Sequence, residues 1–289
     1  MKIFTLIVIA ALILPLANAQ PPDDDLFDRL GDWEDEEMLV PKTFRSIKVV
    51  NMQSVETPDP SELIFTVGHR FGNVRSGIYE MFGLDLATIR LGFDYGISSW
   101  LGAGAGRSTF EKTYDASTKA RILIQDGRRG SPVSLSYYLA ASQATLRGVY
   151  PEAHDNFTGR LSLVNSLMIG RKFSETFSLQ VSPVWLRSSY LREIQDRGDI
   201  VSLAAATRIR ITPITHLNFE YIHELTDSDV NNTNPLSVGF DLETGGHVFQ
   251  LFFSNTQGIF DKAYLVNTTG TWAAGDIYFG FAITRVFYL

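Results

Sequence analysis

The sequence contains no cysteine among its 289 residues. This absence excludes a disulfide framework, a thiolate metal site and a cysteine nucleophile. A secreted domain without disulfides needs another source of stability, and closure of a β-sheet on itself is one.

Long hydrophobic runs are absent after the first residues. MKIFTLIVIAALILPLANA combines one Lys with an apolar run of roughly a dozen residues and ends in Ala17-Asn18-Ala19, which predicts a signal peptide over 1–19 and secretion. A spanning helix needs ~20 apolar residues, and no later segment approaches that length. We therefore predict no transmembrane helix in the mature chain.

An excess of basic residues is also lacking, because the chain holds 25 basic and 32 acidic residues. Nine acids lie within residues 20–37: Asp23, Asp24, Asp25, Asp28, Asp32, Glu34, Asp35, Glu36 and Glu37. Without these nine acids, Arg29 and Lys2, the body has 23 basic and 23 acidic residues. This balance argues against a nucleic-acid partner. Residues 20–43 are predicted to form an acidic periplasmic leader.

No long amphipathic helix is indicated, whereas a period of two recurs along the chain. In ATIRLGFDYG (87–96) the apolar residues share one face and Arg90 and Asp94 share the other. Twelve such strands are predicted, at about 62–71, 87–96, 100–108, 117–125, 132–142, 157–169, 175–185, 200–211, 216–223, 236–242, 247–255 and 276–289. Long and short connections alternate between them, as in outer-membrane barrels. FRSIKVV (44–50) is either a further short strand or a segment that packs against the body.

The charged faces decide which side of the sheet meets lipid. Each Arg or Lys on the lipid face at the membrane midplane would cost ~2–4 kcal/mol, so these faces must line a lumen. The fold class predicted is therefore all-β, a transmembrane antiparallel up-and-down barrel of about twelve strands over residues 44–289. The lumen-facing candidates are Arg90, Asp94, Lys119, Arg121, Arg160, Arg208, Arg210 and Glu220.

The basic candidates outnumber the acidic ones, and two interpretations stay open. A charged ring in a pore selects ions of opposite sign. A salt-bridged polar interior would instead fill a closed barrel. In either case the acidic leader could lie against the luminal cations as a plug.

The last segment, DIYFGFAITRVFYL, places apolar residues on one parity and ends in aromatics. Such a strand resembles the signal by which outer-membrane barrels are recognised for insertion, although Leu289 stands where Phe is usual. We expect outer-membrane lipid and the barrel-insertion machinery as partners.

Several stretches taken together resemble a known family. They are SIKVVNMQSVETP (46–58), VGHRFG (67–72), FGLD (82–85), IRLGFDYGIS (89–98), GAGRST (104–109), Lys119-Ala120-Arg121 and PVSLSYY (132–138). The resemblance is to Bacteroidetes-type outer-membrane β-barrels described as a domain of unknown function. It implies a barrel in the bacterial outer membrane and supplies no catalytic or binding residues.

The residues that could carry chemistry are few. The five histidines are His69, His154, His216, His223 and His247, and none has a spacing that requires catalysis. We predict no catalytic residue, no metal site and no cofactor. The function predicted is a pore or binding barrel for small solutes, anions among them. Two alternatives stay open: a lipid hydrolase with a rim histidine such as His69 or His154, and a structural barrel that anchors a partner.

Overall fold

The computed structural model describes residues 42–289 except 127–129, 149, 192–195, 227–231 and 245–246. The predicted signal peptide and almost all of the acidic leader lie outside the described residues. Twelve strands are present in the described part of the chain, β1 (Glu62–Asn73), β2 (Ala87–Gly96), β3 (Leu101–Ser108), β4 (Tyr114–Leu123), β5 (Ser134–Gln143), β6 (Leu161–Lys172), β7 (Phe177–Leu191), β8 (Asp196–Arg210), β9 (Thr215–Glu224), β10 (Leu236–Thr244), β11 (His247–Ser254) and β12 (Tyr278–Tyr288). The predicted fold class and strand number are confirmed.

The sheet closes because the first strand pairs with the last. Each strand is antiparallel to its neighbours in the chain, and β1 pairs with β12 from Glu62 opposite Tyr288 to Asn73 opposite Tyr278. Closure leaves no free strand edge, so every strand has hydrogen-bonding partners on both sides. This is the source of stability that a chain without cysteine requires.

The connections differ between the two ends of the barrel. Residues 97–100, 173–176 and 211–214 are short turns at the end where Leu289 donates its backbone N–H to the carbonyl of Ser61. Residues 74–86, 144–160 and 255–277 are long loops at the opposite end. Short turns mark the periplasmic end of outer-membrane barrels and long loops mark the external end. We name the two ends accordingly.

The alternation in β2 shows which face is outside. Leu91 and Phe93 are 46% and 49% exposed on the outer surface, whereas Arg90 is 8% exposed and points inward. The outer surface is therefore apolar, as contact with lipid requires, and the charged parity faces the lumen.

Glycines on the luminal face of β2 and β3 leave room for the charged side chains. The guanidinium of Arg90 lies across Gly92 and Gly106, where an added Cβ would collide with it, and the carboxylate of Asp94 lies across Gly104 in the same way. Small residues in the GAGAG stretch thus make space inside the wall.

Two segments of the same chain fill the lumen. Residues 43–58, named here the luminal hairpin, enter from the periplasmic end and are mostly buried. Residues 255–277, named here the luminal loop, enter from the external end and contain the short helix α1 (Asp261–Val266). Among the described residues, no helix combines the length and hydropathy needed to cross a membrane.

Candidate functional site

The luminal hairpin is held in shape by a few backbone contacts. The N–H of Val49 donates to the carbonyl of Met52, and the N–H of Ser54 donates to the carbonyl of Ile47, both at 2.9 Å. The two arms return to the same mouth, where the N–H of Thr43 donates to Glu56 at 2.8 Å. FRSIKVV is thus a segment packed within the body and adds no strand to the wall.

The tip of the hairpin is bound by one wall carboxylate. Glu220, on β9, accepts the backbone N–H groups of Val50, Asn51 and Met52 at 3.2, 3.0 and 3.0 Å. It also accepts the Asn51 side-chain amide at 2.7 Å. Hydrogen bonds to an ionised group are stronger than neutral ones, so Glu220 is the principal anchor of the tip.

The carbonyl groups of the hairpin are bound by a wall cation. The ammonium of Lys119, on β4, donates to the carbonyls of Ile47, Ser54 and Glu56 at 3.0, 3.0 and 2.9 Å. Nearer the periplasmic mouth, Arg121 donates to the carbonyl of Thr57 at 3.2 Å. One acid and two bases of the wall therefore bind the hairpin backbone by groups of complementary charge.

Two neutral wall side chains bind the returning arm as a neighbouring strand would. Gln180 accepts the N–H of Val55 at 2.7 Å and donates to the carbonyl of Gln53 at 2.9 Å. Ser136 donates its hydroxyl to the carbonyl of Val55 at 2.6 Å. Buried backbone groups need such partners. Here they come from side chains, so the hydrogen-bond ladder of the wall does not depend on the hairpin.

Part of the lumen is apolar. Inward side chains of β5 to β9 pack against the hairpin and α1 in one buried cluster, whose members include Tyr138, Val164, Met168, Leu186 and Ile222 from the wall, Phe44, Val50, Met52 and Val55 from the hairpin, and Leu265 and Val266 from α1. Complete burial of one such side chain contributes about 1.5–3 kcal/mol. The hairpin therefore does not leave the lumen without a substantial cost.

The luminal loop meets the hairpin near the centre of the barrel. Arg70, on β1, donates to the carbonyls of Thr256 and Gly258 at 2.8 and 3.0 Å, and to the side chain of Asn51 at 2.8 Å. A single buried guanidinium thus joins wall, hairpin and loop.

A second junction forms around Asp261 of α1. The hydroxyls of Tyr138 and Tyr264 donate to its two carboxylate oxygens at 3.0 and 2.6 Å. Burial raises the pKa of Tyr264 well above its ordinary value, and the negative charge of Asp261 raises it further. On the hairpin, burial lowers the pKa of Lys48, and the charge of Arg90 lowers it further. The luminal hairpin and the luminal loop therefore place ionisable groups in the buried centre of the lumen.

Cavities remain on both sides of the inserts. One of about 290 Å³ opens at the external mouth beside Tyr190 and Lys262, and one of about 240 Å³ opens at the periplasmic mouth beside Glu56 and Arg121. Between them, the cavity beside Lys48 has a volume of only about 30 Å³. Two aqueous vestibules thus lead to a filled centre.

The sequence from residue 44 to residue 287 matches the profile of the family described as "Membrane bound beta barrel domain (DUF5777)". The chain belongs to this family. The match confirms the predicted resemblance to a barrel family of unknown function, and it does not test the bacterial group. No curated protein sequence matches the DUF5777 barrel.

Solved structures similar to the DUF5777 barrel include bacterial porins and channels. The "NanC porin" has a TM-score of 0.49 at 9% identity and covers 78% of this chain and 100% of its own. The "KdgM porin" has a TM-score of 0.46 at 6% identity, and the match covers 78% of this chain and 99% of the porin. The "COG4313 outer membrane channel from Pseudomonas putida F1" has a TM-score of 0.47 at 10% identity, and the match covers 80% of this chain and 97% of the channel. At identities this low, these structures are similar to this chain in fold alone.

The structure distributes the sequence-predicted residues over three regions. Arg90, Asp94, Lys119, Arg208 and Glu220 lie on inward-facing positions of the wall. Arg90 is paired with Asp115, to which its Nε donates at 2.9 Å.

The other three predicted residues lie near the mouths of the barrel. Arg121 and Arg210 are at the periplasmic end, where Arg210 lies 3.9 Å from Glu175. Arg160 precedes β6 at the external rim and pairs with Asp155 at 3.2 Å. The sequence predicts a strand over 157–169, whereas the observed strand β6 begins at Leu161, four residues after the predicted start. Arg160 is therefore outside the wall.

The histidines offer no constellation for hydrolysis among the described residues. His69 faces outward and stacks on Phe281 with ring centroids 5.0 Å apart. His154 packs against Tyr190 at the external rim, and His223 contacts the side-chain amide of Asn234 at 3.2 Å. In the described part of the chain, no histidine is hydrogen-bonded to a serine or an acid, and no cluster of His, Asp and Glu could hold a metal.

Arg70 and Gln180 bind the luminal segments, and the sequence analysis does not identify either of them. Each lies on the inward parity of its strand, which is the only local signal that it carries. Their partners are in the hairpin and the luminal loop, 125 residues away in the case of Gln180 and Val55. Pattern analysis of single strands cannot detect contacts at this separation.

Proposed function

We propose that the protein is an outer-membrane channel for small solutes that its own luminal hairpin closes, and that it conducts when the hairpin leaves towards the periplasm. The observation that carries this proposal is the insertion of residues 43–58 through one mouth, bound mainly by wall side chains. Both ends of the hairpin lie at the periplasmic mouth, where Lys42 pairs with Asp59 at 3.0 Å. Its exit therefore needs no threading of the chain through the wall.

Two further features support a gate over a permanent core. The wall keeps its ladder of hydrogen bonds when the hairpin is absent, because the hairpin is no part of that ladder. The cavity at the periplasmic mouth borders the hairpin at Thr43, Val55 and Glu56, so a solute has access to that side of the hairpin. The apolar contacts of Phe44, Val50 and Met52 oppose exit, so the channel is closed at rest.

A disulfide that fixes the hairpin tests the proposal without interference, because the chain has no other cysteine. The side-chain atoms of Asn51 and Ser237 are 2.7 Å apart, so Asn51→Cys with Ser237→Cys should join hairpin to wall. The matched control is Ser237→Cys with Ser254→Cys, two wall residues whose hydroxyls are also 2.7 Å apart.

In planar bilayers, the oxidised hairpin–wall variant should show no openings and should regain them in reductant. The control should open in both conditions. Equal conductance of the oxidised hairpin–wall variant and the control would show that the hairpin is not the gate. Silence of a variant lacking residues 43–58, inserted and folded, would favour the structural barrel instead.

The same proposal includes a preference of the open channel for anions and a location of the protein in the outer membrane. The reversal potential of the open channel in a salt gradient measures the first. Fractionation of the membrane measures the second, and the predicted signal peptide and leader are its sequence support. An anchor for a partner stays the second candidate, favoured by the apolar packing inside the lumen.

A further inference from the structure

The inner wall of β8 and β9 carries buried polar atoms that have no hydrogen-bond partner in the described part of the chain. They are the Nε of Arg208, both ring nitrogens of His216 and both amide atoms of Asn218. The three residues are 5%, 0% and 1% exposed. More than nine-tenths of buried polar groups in proteins are hydrogen-bonded, so several exceptions at one place indicate a position where a ligand can bind.

The strand register brings these side chains together. Arg208 lies directly opposite Asn218, and Arg210 lies directly opposite His216. On the other side of β9, His216 is opposite Asp241. Directly opposite residues on one face have Cβ atoms about 4.5–5.5 Å apart, so the group is compact. It lies near the periplasmic end, where residues 211–214 join β8 to β9.

The group also has a positive charge without a close counter-ion. Within the described residues, no carboxylate lies within 4.0 Å of the Arg208 guanidinium. Arg45 of the hairpin and Arg210 repel it, and the more distant Asp241 and Glu243 attract it. Asp241 is the nearest buried acid. It accepts a hydrogen bond from Gln250 at 2.9 Å, and the Asn218 amide also acts on its carboxylate. A buried cation without a partner is unfavourable, so this site favours an added anion.

We propose that Arg208, His216 and Asn218 form a subsite for a small oxyanion, the carboxylate or phosphate group of a solute, beneath Arg45 of the luminal hairpin. Guanidinium, imidazole and amide groups supply the donors, and a guanidinium binds such groups in a bidentate manner. Arg45, whose charge acts on Arg208, pairs with Glu243 at 3.2 Å and is 42% exposed.

An oxyanion at this place would lie between Arg45 and Arg208. It would neutralise the repulsion between them and so stabilise the hairpin in the lumen. The proposal rests on the proposed function only for the origin of the anion, since a barrel that never conducts could still bind it.

The test uses inorganic phosphate and the full-length protein in non-ionic detergent. Calorimetric titration should show saturable binding of phosphate. Phosphate should also raise the midpoint of thermal unfolding, which is the temperature at which half of the protein loses the gel mobility of the folded barrel. Arg208→Gln should weaken binding at least tenfold. Arg187→Gln, which removes an outward-facing arginine of β7, is the matched control and should bind as the unchanged protein does.

Asn218→Leu is a second variant, which tests the proposal even if Arg208→Gln does not fold. Because the Asn218 amide atoms have no hydrogen bond of good geometry within the described residues, this variant should keep its midpoint in phosphate-free buffer and still lose binding. Binding that is not saturable, or that chloride matches, would reduce the effect to ionic strength and overturn the proposal. A lower midpoint of Asn218→Leu without phosphate would show that water already satisfies the site, with the same consequence. Conductance is not a readout here, so failure of the gate leaves the result intact.

Discussion

The carboxylate of Glu220, on β9, accepts both the backbone N–H and the side-chain amide of Asn51, at the tip of the luminal hairpin. These two residues are 169 positions apart in the chain. Because the same carboxylate also binds Val50 and Met52, one wall residue bears most of the polar contact at the tip.

Glu220→Gln should loosen the hairpin. Hydrogen bonds to a charged group contribute about 1.5–3 kcal/mol each and neutral ones about 0.5–1.5, so the loss of charge should raise the open probability roughly 10-fold or more. Single-channel recording measures it. Glu152→Gln, on an exposed external turn, is the control. Equal open probabilities for the two variants would refute the role of Glu220.

Lys119→Met should expose the hairpin more often. The carbonyls of Ile47, Ser54 and Glu56 lose their shared donor, and a buried unpaired group costs about 1–3 kcal/mol. The rate at which a maleimide labels Ser54→Cys reports the exposure, since the background has no cysteine.

The control for Lys119→Met is Lys172→Met. Lys172 pairs with Glu175 at the periplasmic turn, and within the described residues its ammonium donates to no carbonyl of the hairpin. Labelling should be as slow in this variant as in the unchanged background. Equally fast labelling of both variants would mean that loss of any cation near the mouth has the same effect.

The lowered pKa of Lys48 predicts a dependence on pH. The hairpin outside the lumen would have an ordinary lysine pKa of 10.5, so between the lowered value and 10.5 the exposed state binds more protons than the closed one. The closed state should therefore gain stability as pH rises and lose it as pH falls. Labelling of Ser54→Cys, corrected for the reactivity of the reagent, should become slower with rising pH.

Lys48→Met should flatten this dependence, and Lys42→Met should leave it unchanged. Lys42 is exposed and pairs with Asp59 outside the lumen. If the labelling rate depends on pH as strongly in Lys48→Met as in the unchanged protein, a group other than Lys48 causes the dependence.

Charge on the outer face should oppose insertion. Phe93→Arg, mid-strand on β2 and 49% exposed, should cost ~2–4 kcal/mol at the membrane midplane. Tyr95→Arg, one step nearer the periplasmic end of the same face, is the graded control and should cost less. The folded fraction in lipid vesicles, read from mobility before and after boiling, measures both. Equal folding of Phe93→Arg and the unchanged protein would contradict the lipid contact of this face.

The wall could be predicted from the sequence because its signal is local. The observed bounds of β2 equal the predicted ones, and its alternation alone separates Arg90 from Leu91. The same period of two, repeated along the chain, predicts the number of strands. The sequence predicts a strand through Arg160 because the residues before Leu161 continue the alternation. In the structure, Thr158–Arg160 form a single 3₁₀ turn instead.

The content of the lumen could not be predicted in this way. The hairpin has no sustained period, and its position depends on partners such as Glu220 and Gln180 in distant strands. Val164 and Met168 face inward against it, although the rule of a polar lumen would place polar residues there. The predicted plug, the acidic leader, precedes the hairpin and lies almost entirely outside the described residues.

Chemical trapping of the open state tests the gate most directly. A bulky maleimide is added to both sides of a bilayer that contains Ser54→Cys channels, and current is recorded as labelling proceeds. Ser54 is buried at 0% exposure, so the reagent reacts only when the hairpin is outside the lumen. A labelled hairpin no longer fits, and each channel should then stay open. If mass spectrometry shows complete labelling while the current is unchanged, the hairpin is not the gate.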